Sequence, residues 1–135
     1  MYAANYDLLM SSGLYKFLTD RKYLIPHTEI DENFTGRPEW HKTLLPEKIN
    51  FISYPYEWCF QQLKDAAMLT LNILRSSLDY GMILKDATPY NIQFHNGAPV
   101  FIDTLSFEKY DPSQPWVAYR QFCTNFLFPL YLEFY

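Results

Sequence analysis

Apolar residues fall into short periodic runs separated by polar turns. Tyr6, Leu9, Met10, Leu14, Phe17 and Leu18 recur at helical spacing, which predicts one amphipathic helix over residues 3–20. Tyr23, Leu24 and Ile25 suit a short strand, and residues 31–40 a polar loop. Residues 49–54 read as a buried strand stopped by Pro55, because proline cannot donate to a central ladder. The spacing over residues 61–80 predicts the strongest helix, with Leu63, Ala67, Leu71, Leu74 and Leu78 on one face. Ala66, Met68, Leu69 and Ile73 extend its apolar surface almost all round, so a central, buried helix is expected. Gly81 is placed to stop it.

Beyond Gly81 the pattern shortens. Met82-Ile83-Leu84 is an apolar run, residues 85–91 form a polar turn, and Ile92-Gln93-Phe94 alternates as a strand. Asn96-Gly97 is the signature of a type I′ hairpin, whose second strand is Val100-Phe101-Ile102, ending at Asp103. Pro115 suits the first turn of a last helix carrying Trp116, Tyr119, Arg120, Phe122, Phe126, Leu127 and Leu130. The expected fold class is α+β.

Composition narrows the function classes. The 135 residues are 49% hydrophobic, with 12 Tyr, 11 Phe and 3 Trp, so the chain can fill a core. A net charge of −4 without a basic block argues against a nucleic-acid scaffold. No apolar run is long enough to span a membrane, no signal-peptide plan opens the chain, and Cys59 and Cys123 stand alone. A cytoplasmic protein with reduced thiols, no nucleic-acid partner and no membrane partner is expected. Only 4 glycines are present, far apart in sequence. A Rossmann fingerprint and a P-loop both need clustered glycines, so neither can be built here. The apolar final residues read as a cut through a longer protein that continues at both ends.

Three polar residues flank the hairpin. Asp86 and Asn91 bound the turn before it, and Asp103 lies just past its second strand. One carboxylate to take a hydroxyl proton, with an amide oxygen and a second carboxylate to hold magnesium, is what phosphoryl transfer needs. The order helix, strand, Asp-x4-Asn loop, hairpin, Asp resembles the catalytic and metal loops of the protein-kinase-like superfamily. The resemblance implies Asp86 as catalytic base and Asn91 and Asp103 as metal ligands. It implies magnesium and ATP as cofactors, Tyr54-Pro55-Tyr56-Glu57 as the hinge for adenine, and Lys85 as a phosphate contact. Tyr54, Tyr56 and Lys85 are thus its cofactor-binding candidates. Leu84-Lys85 stands where kinases carry His-Arg, and Asp103-Thr104-Leu105 replaces Asp-Phe-Gly. The glycine-rich strands would precede residue 1. The implied fold is the helical lobe of a kinase-like domain over residues 61–135, with a partial small lobe and hinge over residues 1–60.

A narrower resemblance covers most of the chain. The strings FISYPYEW (51–58), QLKDAA (62–67), LKDATPYNIQF (84–94), PVFIDTLSFE (99–108) and PWVAYRQF (115–122) are similar to one bacterial family. Its members are labelled NoeA-like nodulation proteins or S-adenosylmethionine-dependent methyltransferases. This resemblance implies a longer chain with a C-terminal methyltransferase-like domain, which alone would use S-adenosylmethionine. The leading expectation is a magnesium- and ATP-dependent phosphotransferase module, inactive alone, acting on an unknown small-molecule acceptor. The alternatives are a non-catalytic adaptor for the methyltransferase domain and a glycosidase with Asp86 and Asp103 as its carboxylate pair. Among the remaining residues, Arg120 on an apolar helix calls for a carboxylate partner. Cys59 and Cys123 read as packing residues, His95 as exposed, and the aromatic stretch 54–60 as core and hinge.

Overall fold

A computed structural model describes residues 2–134 of the chain. The predicted helix over residues 3–20 is two helices, α1 (Ala3–Ser11) and α2 (Leu14–Asp20). Gly13 separates them with φ +89°, and the Ser12 hydroxyl accepts the Leu14 amide at 3.2 Å. The break has a packing reason. Leu9 and Leu14 are five apart, which no continuous helix places on one face, and both are fully buried together with Leu18.

A hairpin of β1 (His27–Ile30) and β2 (Thr43–Pro46) follows, its strands paired antiparallel from His27 opposite Pro46 to Ile30 opposite Thr43. The expected strand over residues 49–54 does not form. Phe51 is 78% exposed, and the Ser53 amide donates to the Gln93 side chain rather than to a neighbouring strand. Residues 31–40 are a loop, as the polar pattern predicts.

The long helix α3 (Phe60–Asp79) ends before Gly81, whose φ is +72°. Its buried face keeps only part of the predicted row: Leu63 and Ala67 are buried and Leu74 packs against the core. Ala66, Leu69, Thr70, Ile73 and Ser77 complete the inward face, whereas Leu71 and Leu78 are exposed. Small residues let the strands that follow approach closely. The buried hydroxyls of Thr70 and Ser77 donate to the carbonyls of Ala66 (2.9 Å) and Ile73 (2.8 Å) within the helix, so neither is left unsatisfied.

Four short strands come next: β3 (Met82–Leu84), β4 (Ile92–His95), β5 (Ala98–Phe101) and β6 (Phe107–Lys109). β4 and β5 form the predicted hairpin, with Asn96 and Gly97 both at positive φ. β3 pairs antiparallel with β6, so the second pair encloses the first in sequence. Leu24 bridges Phe101, which adds the predicted extended segment at residues 23–25 to the hairpin. Fully buried Phe101 and Phe107 meet edge to face at 6.0 Å, joining the two pairs.

The last helix starts later than Pro115 implies. Residues 111–118 are turn and coil, α4 spans Tyr119–Phe122, a π turn spans Cys123–Leu127, and α5 spans Phe128–Phe134. The π turn has a local cause: Pro129 lacks an amide hydrogen and its ring would strike the Asn125 carbonyl of a regular helix. Arg120 is exposed and needs no buried partner. Cys59 is exposed rather than packed, Cys123 is buried, and both are free thiols. The described residues are thus mixed α+β with three two-stranded sheets. One apolar core takes residues from α1, α2, α3, the strands and the C-terminal helices, and a two-lobed kinase architecture is not evident among the described residues.

A polar network ties the β1–β2 hairpin to the first helices. The Tyr6 hydroxyl donates to Glu29 at 2.8 Å, so it accepts from Nε2–H of His27 at 2.9 Å. That tautomer leaves His27 Nδ1 buried without a partner. Tyr15 closes the backbone of His27, accepting its amide at 2.9 Å and donating to its carbonyl at 3.2 Å.

Two predictions follow from these local constraints. Gly13→Ala forces an L-residue into the left-handed region, and the expected loss is about 1–2 kcal/mol in urea unfolding at unchanged slope. Burial holds the His27 imidazole below its ordinary range, opposed by the Glu29 charge. The unfolded chain therefore takes up this proton first, near pH 6.5. Stability is full above that pH and declines as pH falls toward the lowered native value. Denaturation at pH 7 and pH 5 should show a smaller difference for His27→Gln than for the parent, and equal differences would remove His27 as the cause.

Candidate functional site

The nested strand pairing decides where the polar loops lie. Leu84 opposite Phe107 and Ile92 opposite Phe101 bring the loop 85–91 and the loop 102–106 to the same end of the two strand pairs. Backbone bonds tie them there. The Lys85 amide donates to the Ser106 carbonyl and the Ile102 amide to the Asn91 carbonyl, each at 2.8 Å.

The side chains continue this contact. Asp103 accepts the Leu105 amide on Oδ1 at 2.8 Å and the Ser106 hydroxyl on Oδ2 at 2.7 Å. Asn91 Nδ2 donates to the same hydroxyl at 3.3 Å. Ser106 has one hydroxyl proton, and it goes to the carboxylate, so its oxygen receives the Asn91 amide. Asn91 and Asp103 are thus brought together through Ser106, which is 1% exposed. The arrangement fixes the Asn91 amide with its nitrogen toward Ser106.

Asp86 lies at the other end of the first loop. Its Oδ1 accepts the Thr88 amide at 3.1 Å, and Thr88 in turn accepts the Tyr90 amide at 3.3 Å. These two side-chain caps, with Pro89 between them, shape the 85–91 loop into a turn that ends in a single 3-10 turn at Pro89–Asn91. The loop is also held from the C-terminal segment. Gln121 Oε1 accepts the Ala87 amide at 2.7 Å, and the Trp116 indole donates to the Leu84 carbonyl at 2.6 Å.

Lys85 points its ammonium at the Tyr2 ring, 5.0 Å from the centroid, and the Tyr2 hydroxyl donates to the Thr104 carbonyl at 2.5 Å. Burial, reinforced by the Asp103 charge, pushes the Tyr2 phenol well above its ordinary range. Tyr54 and Tyr56 sit on a separate turn, stacked with ring centroids 5.5 Å apart. Both are exposed, so the expectation of a core aromatic stretch fails for them. Glu57 engages both backbone groups of Tyr54, accepting its amide at 2.8 Å and donating to its carbonyl at 2.9 Å. His95 is half-buried, 3.8 Å from Glu47.

Among the described residues, no three His, Cys, Asp or Glu side chains gather as a metal site. The loop pair carries one amide and one carboxylate side chain, joined through the Ser106 hydroxyl. A cavity of about 470 Å³ beside Lys22, Glu47 and His95 includes none of the sequence-predicted site residues, so concavity alone does not mark the loops. Ser106, Gln121 and Tyr2 are the residues that the sequence reading missed. Ser106 could have been found as a hydroxyl three past Asp103, whereas Gln121 and Tyr2 carry no local signal.

No family model matches the chain. Over 82 residues, 61% of the chain, it is 49% identical to the nodulation protein NoeA of Rhizobium meliloti (strain 1021). That stretch spans only 17% of the length of this curated relative. No helix among the described residues is long and apolar enough to cross a membrane.

Ser106→Ala should leave the Asp103 oxygen and the Asn91 amide without their shared partner. The expected cost is about 1–3 kcal/mol in unfolding free energy. The Asn91 side-chain amide resonances should also shift in an NMR spectrum. An unperturbed Asn91 amide would show that the hydroxyl does not couple the two residues.

Proposed function

We propose that the chain is a protein-kinase-like phosphotransferase module, dependent on magnesium and ATP, within a longer bacterial NoeA-like protein. The observation that supports this most is the hydrogen-bonded chain Asn91–Ser106–Asp103 across two loops held at one end of nested hairpins. It links the side chains of two candidate oxygen donors across the loops, with a loop carboxylate five residues before the first. In this reading Asn91 and Asp103 hold magnesium, which with ATP would supply the phosphoryl group and screen its charge. Asp86 receives the proton of the attacking hydroxyl. Lys85 exchanges the Tyr2 ring for a phosphate. Of the hinge pair, Tyr54 has its backbone groups engaged by Glu57, so in this reading the adenine contact falls to the backbone of Tyr56.

The glycine-rich strands and paired lysine of a complete kinase-like site would come from sequence before residue 1. S-adenosylmethionine chemistry would belong to a domain outside this segment, and a part in nodulation, as in the relative's name, is the corresponding setting.

The second reading is a non-catalytic adaptor that positions such a methyltransferase domain. It is favoured by Lys85 resting on Tyr2 rather than facing an open site.

Calorimetry on the full-length protein separates the two. The phosphotransferase reading expects magnesium-dependent ATP binding that Asp103→Ala abolishes. It also expects Asp86→Asn to keep binding while slowing transfer at least about 100-fold. Undiminished binding by Asp103→Ala removes the metal role, and absence of nucleotide binding by the parent leaves the adaptor.

A further inference from the structure

The cavity of about 470 Å³ beside Lys22, Glu47 and His95 lies away from the two polar loops, between the end of α2 and the β4–β5 hairpin, and its size suits a small ligand. It opens where two segments stop pairing. The Phe101 amide donates to the Tyr23 carbonyl and its carbonyl accepts the Ile25 amide, each at 2.8 Å, whereas the next amide, of Ile102, turns to Asn91. Alternate residues of β5 thus face opposite edges, and Pro99 faces the same edge as Phe101. Proline has no amide, and the Tyr23 amide already donates to the Leu18 carbonyl at 2.9 Å, so the ladder cannot continue past Phe101. The Pro99 carbonyl lies on the edge so left open. Opposite charges line the same space without meeting. Among the described residues Lys22 pairs with no carboxylate, and Glu47 approaches only the His95 ring, at 3.8 Å. Lys22 sits in the left-handed cap of α2, φ +59°, its amide donating to the Thr19 carbonyl at 3.0 Å. Glycine is the residue such caps favour, so the backbone gives no reason for a lysine. The Glu47 amide donates to the Pro26 carbonyl at 2.8 Å, which sets the carboxylate at the far end of the extended segment that starts at Lys22. Four extended residues span about 13 Å. Leu24, Pro26 and Val100 supply an apolar wall.

We propose that this cavity binds a dipeptide with free termini. Its ammonium meets Glu47, its carboxylate meets Lys22, and its amide donates to the Pro99 carbonyl on the open edge. Three arguments select the ligand class. A singly charged ligand satisfies one of the two lining charges and leaves the other without a partner, whereas a zwitterion complements both. The termini of a dipeptide lie about 7 Å apart, which leaves the rest of the span to the lysine and glutamate side chains; the charges of a single amino acid are too close together for this. An open strand edge flanked by apolar residues is matched by a peptide amide and its side chains. The cavity shares no residue with the magnesium and ATP reading and does not rest on it.

Saturation-transfer NMR titrations on the full-length protein test this with leucyl-alanine, its N-acetylated form, its C-terminal amide and free leucine. The parent should bind leucyl-alanine about threefold more tightly than either blocked form, the strength of one exposed ion pair, and more tightly than leucine. Lys22→Gln should erase the preference over the amide alone, and Glu47→Gln the preference over the acetylated form alone. Lys22→Gly suits the left-handed cap, so it should lose the same preference as Lys22→Gln while unfolding at no lower urea concentration than the parent. Lys16→Gln, which removes a cation of α2 outside the cavity, should change neither preference. No transfer to leucyl-alanine, equal binding of the blocked forms, or unchanged preferences in the Lys22 and Glu47 variants would overturn the proposal. So would leucine bound as tightly as the dipeptide. Dipeptide binding without any nucleotide binding counts against the phosphotransferase reading alone, and nucleotide binding without dipeptide binding against this cavity alone.

Discussion

The Ser106 residue is the point on which the two polar loops depend. Its carbonyl takes the amide of Lys85 and its hydroxyl joins Asp103 to Asn91, so one buried residue sets both the separation of the loops and the orientation of their side chains. The hydroxyl can do this only because its single proton has a carboxylate to go to. A buried hydroxyl without such an acceptor would cost more than it contributes. The loops themselves are short and polar and could not hold this register alone. They inherit it from strand pairs of three and four residues whose apolar faces are locked by Phe101 against Phe107.

Beneath the strands lies α3, and its composition explains how so small a sheet can be buried. Alanine, threonine and serine on the inward face bring the helix axis close to β3 and β5, and back-bonded hydroxyls remove the polar cost of that approach. Leucines at those positions would hold the strands off and separate the loops that the strands carry. The C-terminal segment completes the support. Trp116 and Gln121 reach the 84–87 backbone directly, so the first loop is held from behind by residues about 30 positions later in the chain.

Much of this was legible in the sequence wherever one local rule dominates. Asn96-Gly97 predicts its hairpin because few other residue pairs accept two positive φ values, and Gly81 marks the end of α3 for the same reason. The Asp86, Asn91 and Asp103 spacing drew attention to the loops that the fold does bring together. The misses share a cause as well. Hydrophobicity ranks leucine above threonine and serine, so Leu71 and Leu78 were expected inside, whereas Thr70 and Ser77 face the core there. Residues 49–54 have strand composition but no partner strand, and a strand without a partner is only an extended loop. Periodicity tolerates the five-residue step from Leu9 to Leu14 as noise, yet that step required a helix break at Gly13. Ser106 and Gln121 act through tertiary hydrogen bonds that no local pattern encodes.

The π turn at Cys123–Leu127 sets a phase for everything after it. One extra residue in a helical turn rotates the following side chains by about 100° relative to a continuous helix. Among the described residues Phe126 is the last fully buried aromatic, and Leu127, Phe128 and Leu132 emerge on the surface beyond it. Pro129 thereby acts at a distance from its own position, as a dial that chooses which side of the final helix meets the core and which meets its surroundings.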